Sequence, residues 1–307
     1  EWPLILQIDA SKKFNCSRKM ISKTHLETLP PIREIISSHN LKTMKKLGQH
    51  FLLDLNLTDK IARCAGHLSD GTVFEIGPGP GSLTRSLLKA GARRVIAIEQ
   101  DPRCITALTG LVDAAAGRLK VVHGDAQYID LTELAPPPRR IVANLPYNIS
   151  TVLLTNWISK GNAFKQMTLM FQNEVARRIV AEPGTKVYGR LSVVCNWRAN
   201  TDFLFKIPAR AFTPSPKVSS ALVSIEPHTS LSDTVELSDL ERVTAAAFGQ
   251  RRKMLRSSLK TLDCNTSTLL DTARVDPTKR AEELTIDDYT RLAKGFSHLR
   301  KAVLQNH

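Results

Sequence analysis

From Thr72 onward the chain alternates short apolar runs with amphipathic stretches of helical period. Such alternation marks a parallel sheet whose strands are joined by crossover helices. Strands are predicted at Thr72–Ile76, Arg94–Glu99, Leu119–His123, Arg140–Asn144 and Gln166–Phe171, and helices at Ser82–Ala90, Pro102–Ala116, Ser150–Ser159 and Asn173–Ala181. Two later apolar segments, Phe203–Ile207 and Ser220–Ile225, are placed to close the sheet as an antiparallel pair. The expected fold class is α/β, a doubly wound sheet over residues 44–227.

After a polar linker, Pro227 to Glu236, only helical periods remain, which predicts a small all-α C-terminal domain over 236–303. Within Leu237–Leu262, read as helical, Phe248, Leu255, Leu259 and Leu262 share one face. Arg252, Arg256 and Lys260, four residues apart, form a basic stripe beside it. Residues 1–43 show no clear period and read as an extension, partly disordered or of artificial origin. Glu1 stands where a natural start would carry Met, and Met20 offers one.

Charge sharpens this picture. The 307 residues carry 43 Lys+Arg against 29 Asp+Glu, a formal charge of +14. An excess of that size points to a polyanionic partner, nucleic acid or an acidic surface, or else serves solubility alone. A hydrophobic share of 42% is that of a globular protein and excludes a disordered chain. Five cysteines, Cys16, Cys64, Cys104, Cys195 and Cys264, stand far apart with no CxxC pair, so neither a zinc site nor a disulfide framework is signalled and a reducing cytosol is expected. No apolar run approaches bilayer-spanning length.

Candidate chemistry lies at the strand ends. Gly77-Pro78-Gly79-Pro80-Gly81 follows the first strand and opens a helix, so the backbone there can approach a ligand closely. Ser82 stands where a GxGxxG fingerprint needs its last glycine, and prolines at two loop positions remove amide donors, which disfavours a phosphate nest. Glu99 ends the second strand, where a carboxylate accepts the hydroxyls of an adenosine ribose, in NAD as in S-adenosylmethionine. Asp125 follows the third strand and is placed to accept from an adenine amine.

Asn144-Leu145-Pro146-Tyr147 ends the fourth strand. The lone pair of an aromatic amine is conjugated into its ring, so a catalyst must hold the N–H bonds in a chosen direction. The Asn144 side-chain oxygen and the Leu145 carbonyl can accept both, Pro146 fixes the turn, and Tyr147 can stack on the base.

Taken together these segments resemble the ribosomal RNA adenine N6,N6-dimethyltransferase family, and within it the small-subunit branch. The resemblance runs from residue 44 to about 300 and includes Leu47-Gly48-Gln49-His50-Phe51-Leu52, Gln172-Asn173-Glu174-Val175-Ala176-Arg177-Arg178, Phe212-Thr213-Pro214-Ser215-Pro216-Lys217-Val218 and Gly249-Gln250-Arg251-Arg252-Lys253-Met254-Leu255. His50 departs from the asparagine that many members carry.

The resemblance implies a Rossmann-like S-adenosylmethionine-dependent methyltransferase that dimethylates N6 of two adjacent adenosines in a 3'-terminal hairpin loop of small-subunit rRNA. The cofactor would lie among Gln49, His50, Leu52, Gly77, Gly79, Glu99, Asp125, Ala126 and Asn144. Phe212 would cover the flipped base opposite Tyr147, and Arg251, Arg252, Lys253, Arg256 and Lys260 would hold RNA phosphates. No metal is expected. The expected partner is the small ribosomal subunit, met by a monomer in the cytoplasm. Three other readings stay open: a large-subunit rRNA dimethyltransferase conferring antibiotic resistance, a ribosome-assembly factor with little catalysis, and, most distant, an NAD oxidoreductase.

Overall fold

The structure, a computed structural model, describes residues 24–229 and 235–305. Met20, Cys16 and part of the expected linker lie outside the described residues. Short helices α1 (Thr24–Glu27) and α2 (Ile32–Ser38) come first. Ile32 and Leu41 are buried, so residues 24–43 pack onto the body of the protein, which corrects their reading as an appendage. Their apolar positions are too few to show a period, and only contact with the sheet domain gives them a core to enter.

A two-residue strand β1 (Phe51–Leu52) and helix α3 (Leu55–Cys64), capped by the Asp54 side chain, lead into the sheet. The next elements are β2 (Thr72–Ile76), α4 (Ser82–Lys89), β3 (Val95–Glu99), α5 (Pro102–Ala107), α6 (Thr109–Ala114), β4 (Leu119–His123), α7 (Leu131–Leu134), β5 (Arg139–Asn144), α8 (Ser150–Ser159) and β6 (Gln166–Gln172). After them come α9 (Asn173–Ile179), α10 (Arg190–Arg198), β7 (Ala199–Ile207), β8 (Phe212–Thr213) and β9 (Ser220–Pro227). The expected helix over Pro102–Ala116 is broken at Leu108, which ends α5 and caps α6.

Seven strands form one sheet in the order β4-β3-β2-β5-β6-β9-β7. Strands β2 to β6 run parallel, and β9 inserts antiparallel between β6 and β7. This confirms the α/β class and the antiparallel closure. The inner strands are buried on both faces, as their unbroken apolar runs require. Strand order reverses between β2 and β5, and the carboxyl ends at that reversal are where such sheets bind ligands.

Helices α11 (Leu237–Gly249), α12 (Leu255–Ser258), α13 (Thr266–Ala273) and α14 (Ile286–Gln305) gather around a third core. Tyr188 and Val193, from the chain between α9 and β7, belong to the same core. The Tyr188 hydroxyl donates to the Leu284 carbonyl, and Phe248 lies between the rings of Tyr188 and Tyr289. The helical part is therefore bolted to the sheet part through buried aromatic rings.

Leu237–Leu262 is not one helix. It ends at Gly249, and Met254 bridges antiparallel to Arg280 before α12 begins. Glycine is the poorest helix former after proline, and the Leu255 and Arg256 amides donate instead to the Lys279 and Pro277 carbonyls.

Candidate active site

A cavity opens at the carboxyl edge of the sheet, where β2, β3, β4 and β5 end. Its walls include Gln49, His50, Gly77, Gly79, Glu99, Asp125, Ala126, Asn144, Leu145, Pro146 and Tyr147. Four strand ends and the segment before β1 thus bring together residues up to about a hundred positions apart in the chain.

The loop after β2 is shaped for close approach. Gly77 has φ +66°, and a Cβ built there would meet nothing within 4 Å, so the backbone faces open space. Gly79 also has positive φ, and a Cβ on it would come within 3.0 Å of the Phe51 ring. The first glycine leaves room for a ligand. The second leaves room for the wall.

Glu99 is nearly buried, and each of its oxygens has one backbone donor: the Gly79 amide at 3.0 Å and the Asp101 amide at 2.8 Å. Burial raises its pKa, while those amides pull it down. A carboxylate has about four acceptor sites, so capacity for two hydroxyl donors remains. Asp125 accepts the Gln127 amide at 2.9 Å in a tight turn. Two acceptor-only side chains thus flank the open glycine loop, a donor set that fits the ribose and amine of an adenosine and the positive charge of a sulfonium.

At the other end, the Asn144 Nδ2 donates to the His50 carbonyl at 3.0 Å. Only the NH2 side of an amide can donate to a carbonyl, so this bond settles the orientation of the Asn144 amide and frees Oδ1 as the acceptor. Tyr147 shares a 2.6 Å hydrogen bond with Ser220 Oγ, and burial raises the pKa of its hydroxyl. His50 donates from Nδ1 to the Pro214 carbonyl at 2.7 Å, and its ring faces that of Tyr147 with centroids 5.8 Å apart.

Leu52 and Phe212, both expected at the site, do not line the cavity. They pair in the two-stranded ribbon β1–β8 and are 4% and 2% exposed, packed among Ile61, Leu83 and Ile207. Successive strand side chains point to opposite faces. Phe51 therefore faces the cavity while Leu52 and its partner Phe212 turn into the core, and the ring opposite Tyr147 is that of His50.

The sequence reading missed the walls Ile98, Gln100 and Ile149, which carry no motif signal beyond standing next to Glu99 and Tyr147. It also missed Asp101, 2% exposed, which accepts from Gln49.

The expected RNA contacts are placed unevenly. With the helix broken after Gly249, Arg252, Arg256 and Lys260 do not form a continuous i, i+4, i+8 stripe. Arg252, Lys253, Arg256 and Lys260 are exposed around the α12 turn, whereas Arg251 is paired with Glu282 at 2.7 Å. Among the described residues no cluster of His, Cys, Asp and Glu could hold a metal, and no helix is long and apolar enough to cross a membrane.

Sheet order, glycine loop and acid-lined cavity define a Rossmann-like α/β protein with its ligand site at the strand ends. The model of the family described as ribosomal RNA adenine dimethylase matches residues 40–298. The chain is 53% identical over 268 residues to ribosomal RNA small subunit methyltransferase A of Paramagnetospirillum magneticum, covering 87% of this chain and 95% of that protein. It is 52% identical to the protein of the same name in Xanthobacter autotrophicus, over 90% of this chain and 96% of the other. Among solved structures, a dimethyladenosine transferase from Plasmodium falciparum superposes with a TM-score of 0.72 at 27% identity, covering 82% of this chain and 98% of that one. The 23S rRNA methyltransferase ErmE does so at 0.63 and 26%, covering 80% and 99%.

The chain belongs to the ribosomal RNA adenine dimethylase family. It is a methyltransferase, and its methyl donor is S-adenosylmethionine.

Proposed function

We propose that the chain dimethylates N6 of two adjacent adenosines in a 3'-terminal hairpin loop of small-subunit rRNA, as a monomer in the cytoplasm, during assembly of the small ribosomal subunit. The observation that carries this reading is Asn144. Its amide is oriented by the His50 carbonyl, with Oδ1 left as an acceptor at the wall shared with Leu145, Pro146 and Tyr147. The shared name of the curated relatives, at about half identity over nearly their whole length, supports the small subunit over the large.

S-adenosylmethionine, when bound, supplies a methyl group on a positively charged sulfur. The residues that would hold it are His50, Gly77, Gly79, Glu99, Asp125 and Ala126, with Gln49 as their neighbour. Asn144 Oδ1 and the Leu145 carbonyl accept the two N–H bonds of the adenine amine and direct its lone pair. Neutral amide oxygens are weak bases, so they orient the N–H bonds, both of them in the first transfer and the one that remains in the second. After each transfer the methylated nitrogen is strongly acidic, and its displaced proton leaves to solvent. Tyr147 stacks on the base, an interaction of about 1–3 kcal/mol. A loop adenosine suits such a site, because extrusion of an unpaired base costs only a few kcal/mol. Positioning is the whole contribution, and no nucleophilic side chain is needed. Arg252, Lys253, Arg256 and Lys260 of the helical domain, 236–303, contact RNA phosphates.

Incubation with labelled S-adenosylmethionine and unmethylated small or large ribosomal subunits, followed by mapping of the label, tests the reading. Label on two adjacent adenosines of the small-subunit rRNA is the expected result. Label on the large subunit, or none, overturns it.

A further inference from the structure

The segment between α2 and α3 forms one side of the cavity, with Leu47, Gly48, Gln49, His50 and Phe51 all in its wall. It is fastened at both ends of the site. Near the acceptor amide, Asn144 donates to the His50 carbonyl. At the ribose end, a chain of hydrogen bonds runs through the side chains of Gln49, Asp101 and Glu99. The Met44 amide donates to Gln49 Oε1 at 2.8 Å, Gln49 Nε2 donates to Asp101 Oδ2 at 2.9 Å, and the Asp101 amide donates to Glu99 Oε1 at 2.8 Å. Glu99 Oε2 then accepts the Gly79 amide of the glycine loop.

Asp101 is the pivot. It caps α5 by accepting the Arg103 amide, and the Arg103 guanidinium grips both its oxygens. That grip, with Gln49, holds its pKa down to about 2, so it is a fixed anion at working pH. Asp101 is buried, and its Oδ2 accepts from Gln49, a neutral donor on the 44–53 segment. The apolar contacts agree with this direction of docking. Leu41 and Phe51 pack against Cys104 and Ala107 of α5, the helix that Asp101 caps. The Phe51 ring in turn abuts Gly79.

We propose that Gln49 and Asp101 are positioning residues, and that their hydrogen bond makes docking of the 44–53 segment and alignment of the Glu99 carboxylate a single event. Glu99 is aimed by backbone amides whose own positions depend on α5 and the glycine loop. The Gln49 bridge ties both to the segment that walls the cavity. The cofactor then meets a preassembled site and does not have to order that segment itself. The inference rests on the cofactor reading above.

Binding of S-adenosylmethionine to the RNA-free protein, followed by calorimetry, separates the two. Wild type is expected to bind, and absence of binding overturns the cofactor reading and this one together. Gln49→Met keeps the volume and removes both hydrogen bonds. It should weaken cofactor binding about tenfold, which corresponds to about 1.4 kcal/mol. Amides of residues 44–53 should exchange faster in the cofactor-free variant and regain wild-type protection at saturating cofactor. In turnover, KM for the cofactor should rise about tenfold and kcat fall no more than about twofold, with KM for the ribosomal subunit unchanged. Asp101→Asn keeps an acceptor for Gln49 and should bind more tightly than Asp101→Ala. Wild-type affinity and exchange in Gln49→Met, or equal losses in Asp101→Asn and Asp101→Ala, would overturn the proposal.

Discussion

The cavity at the sheet edge was read from motifs at strand ends and the basic turn after α11 from helical spacing, and the two fared differently. At the cavity, residues picked by motif converge in space: Gly77, Gly79, Glu99, Asp125 and Asn144 all reach one wall or another. At the basic turn, a stripe expected from helical spacing dissolves because the helix stops at Gly249, and Arg251 is tied to Glu282. A residue at the end of a parallel strand is placed by the sheet, whatever follows it. A residue on a helix face is placed only if the helix continues, and that is decided by what competes for its backbone amides.

The largest expected effect lies at the cavity. Asn144→Ala removes the acceptor that the His50 carbonyl has oriented. Loss of one preorganised polar group from a reacting centre costs about 10²–10³ in kcat. RNA affinity, measured by filter binding, should stay near wild type, and a variant that still turns over normally would end the acceptor role.

Glu99→Ala comes next. Hydrogen bonds to a charged group contribute about 1.5–3 kcal/mol. Cofactor affinity should therefore fall by one to two orders of magnitude in calorimetry, with RNA affinity spared.

Glu75 carries a third test, of stability. It is fully buried in β2 with its Oε2 unpartnered, and burial pushes its pKa up to about 8 from an ordinary 4.5. The folded value lies above the unfolded one, so the protonated side chain's contribution is fully present below about pH 4.5 and is lost as pH rises through about 8. Glu75→Gln should flatten that decline, so that denaturant midpoints of variant and wild type diverge between pH 5 and pH 8. Parallel curves would show that Glu75 ionises freely.

The smallest effects belong to the basic turn, and they separate its members. Arg256→Ala with Lys260→Ala should raise KM for the subunit several-fold and lower the salt slope of RNA binding by about 1 for each phosphate that these side chains neutralise. Arg251→Ala should act on stability, by about 0–1 kcal/mol as expected for a half-exposed ion pair, and leave the salt slope unchanged. A salt slope that responds to Arg251 and not to Arg256 would reverse these roles.

Periodicity found the five parallel strands to within a residue at each end, because two-sided burial demands unbroken apolar runs. It did not find α3, α10 or the β1–β8 ribbon. The ribbon is two residues long, and no period of two can be seen in Phe51–Leu52. The burial of the Leu52 and Phe212 side chains was not legible for the same reason, since which neighbour faces the cavity depends on a pairing that the chain order does not reveal.

Strand, loop and acid, read from the chain alone, determined an α/β sheet with its ligand site at the strand ends, because each motif sits within a few residues of the backbone that positions it. Tertiary structure alone decided how the Asn144 amide points, that Asp101 links Gln49 to Glu99, and that Arg251 pairs with Glu282. Each of these depends on contacts between segments dozens of residues apart, and a hydrogen bond or ion pair exists only where folding has brought both partners to one place.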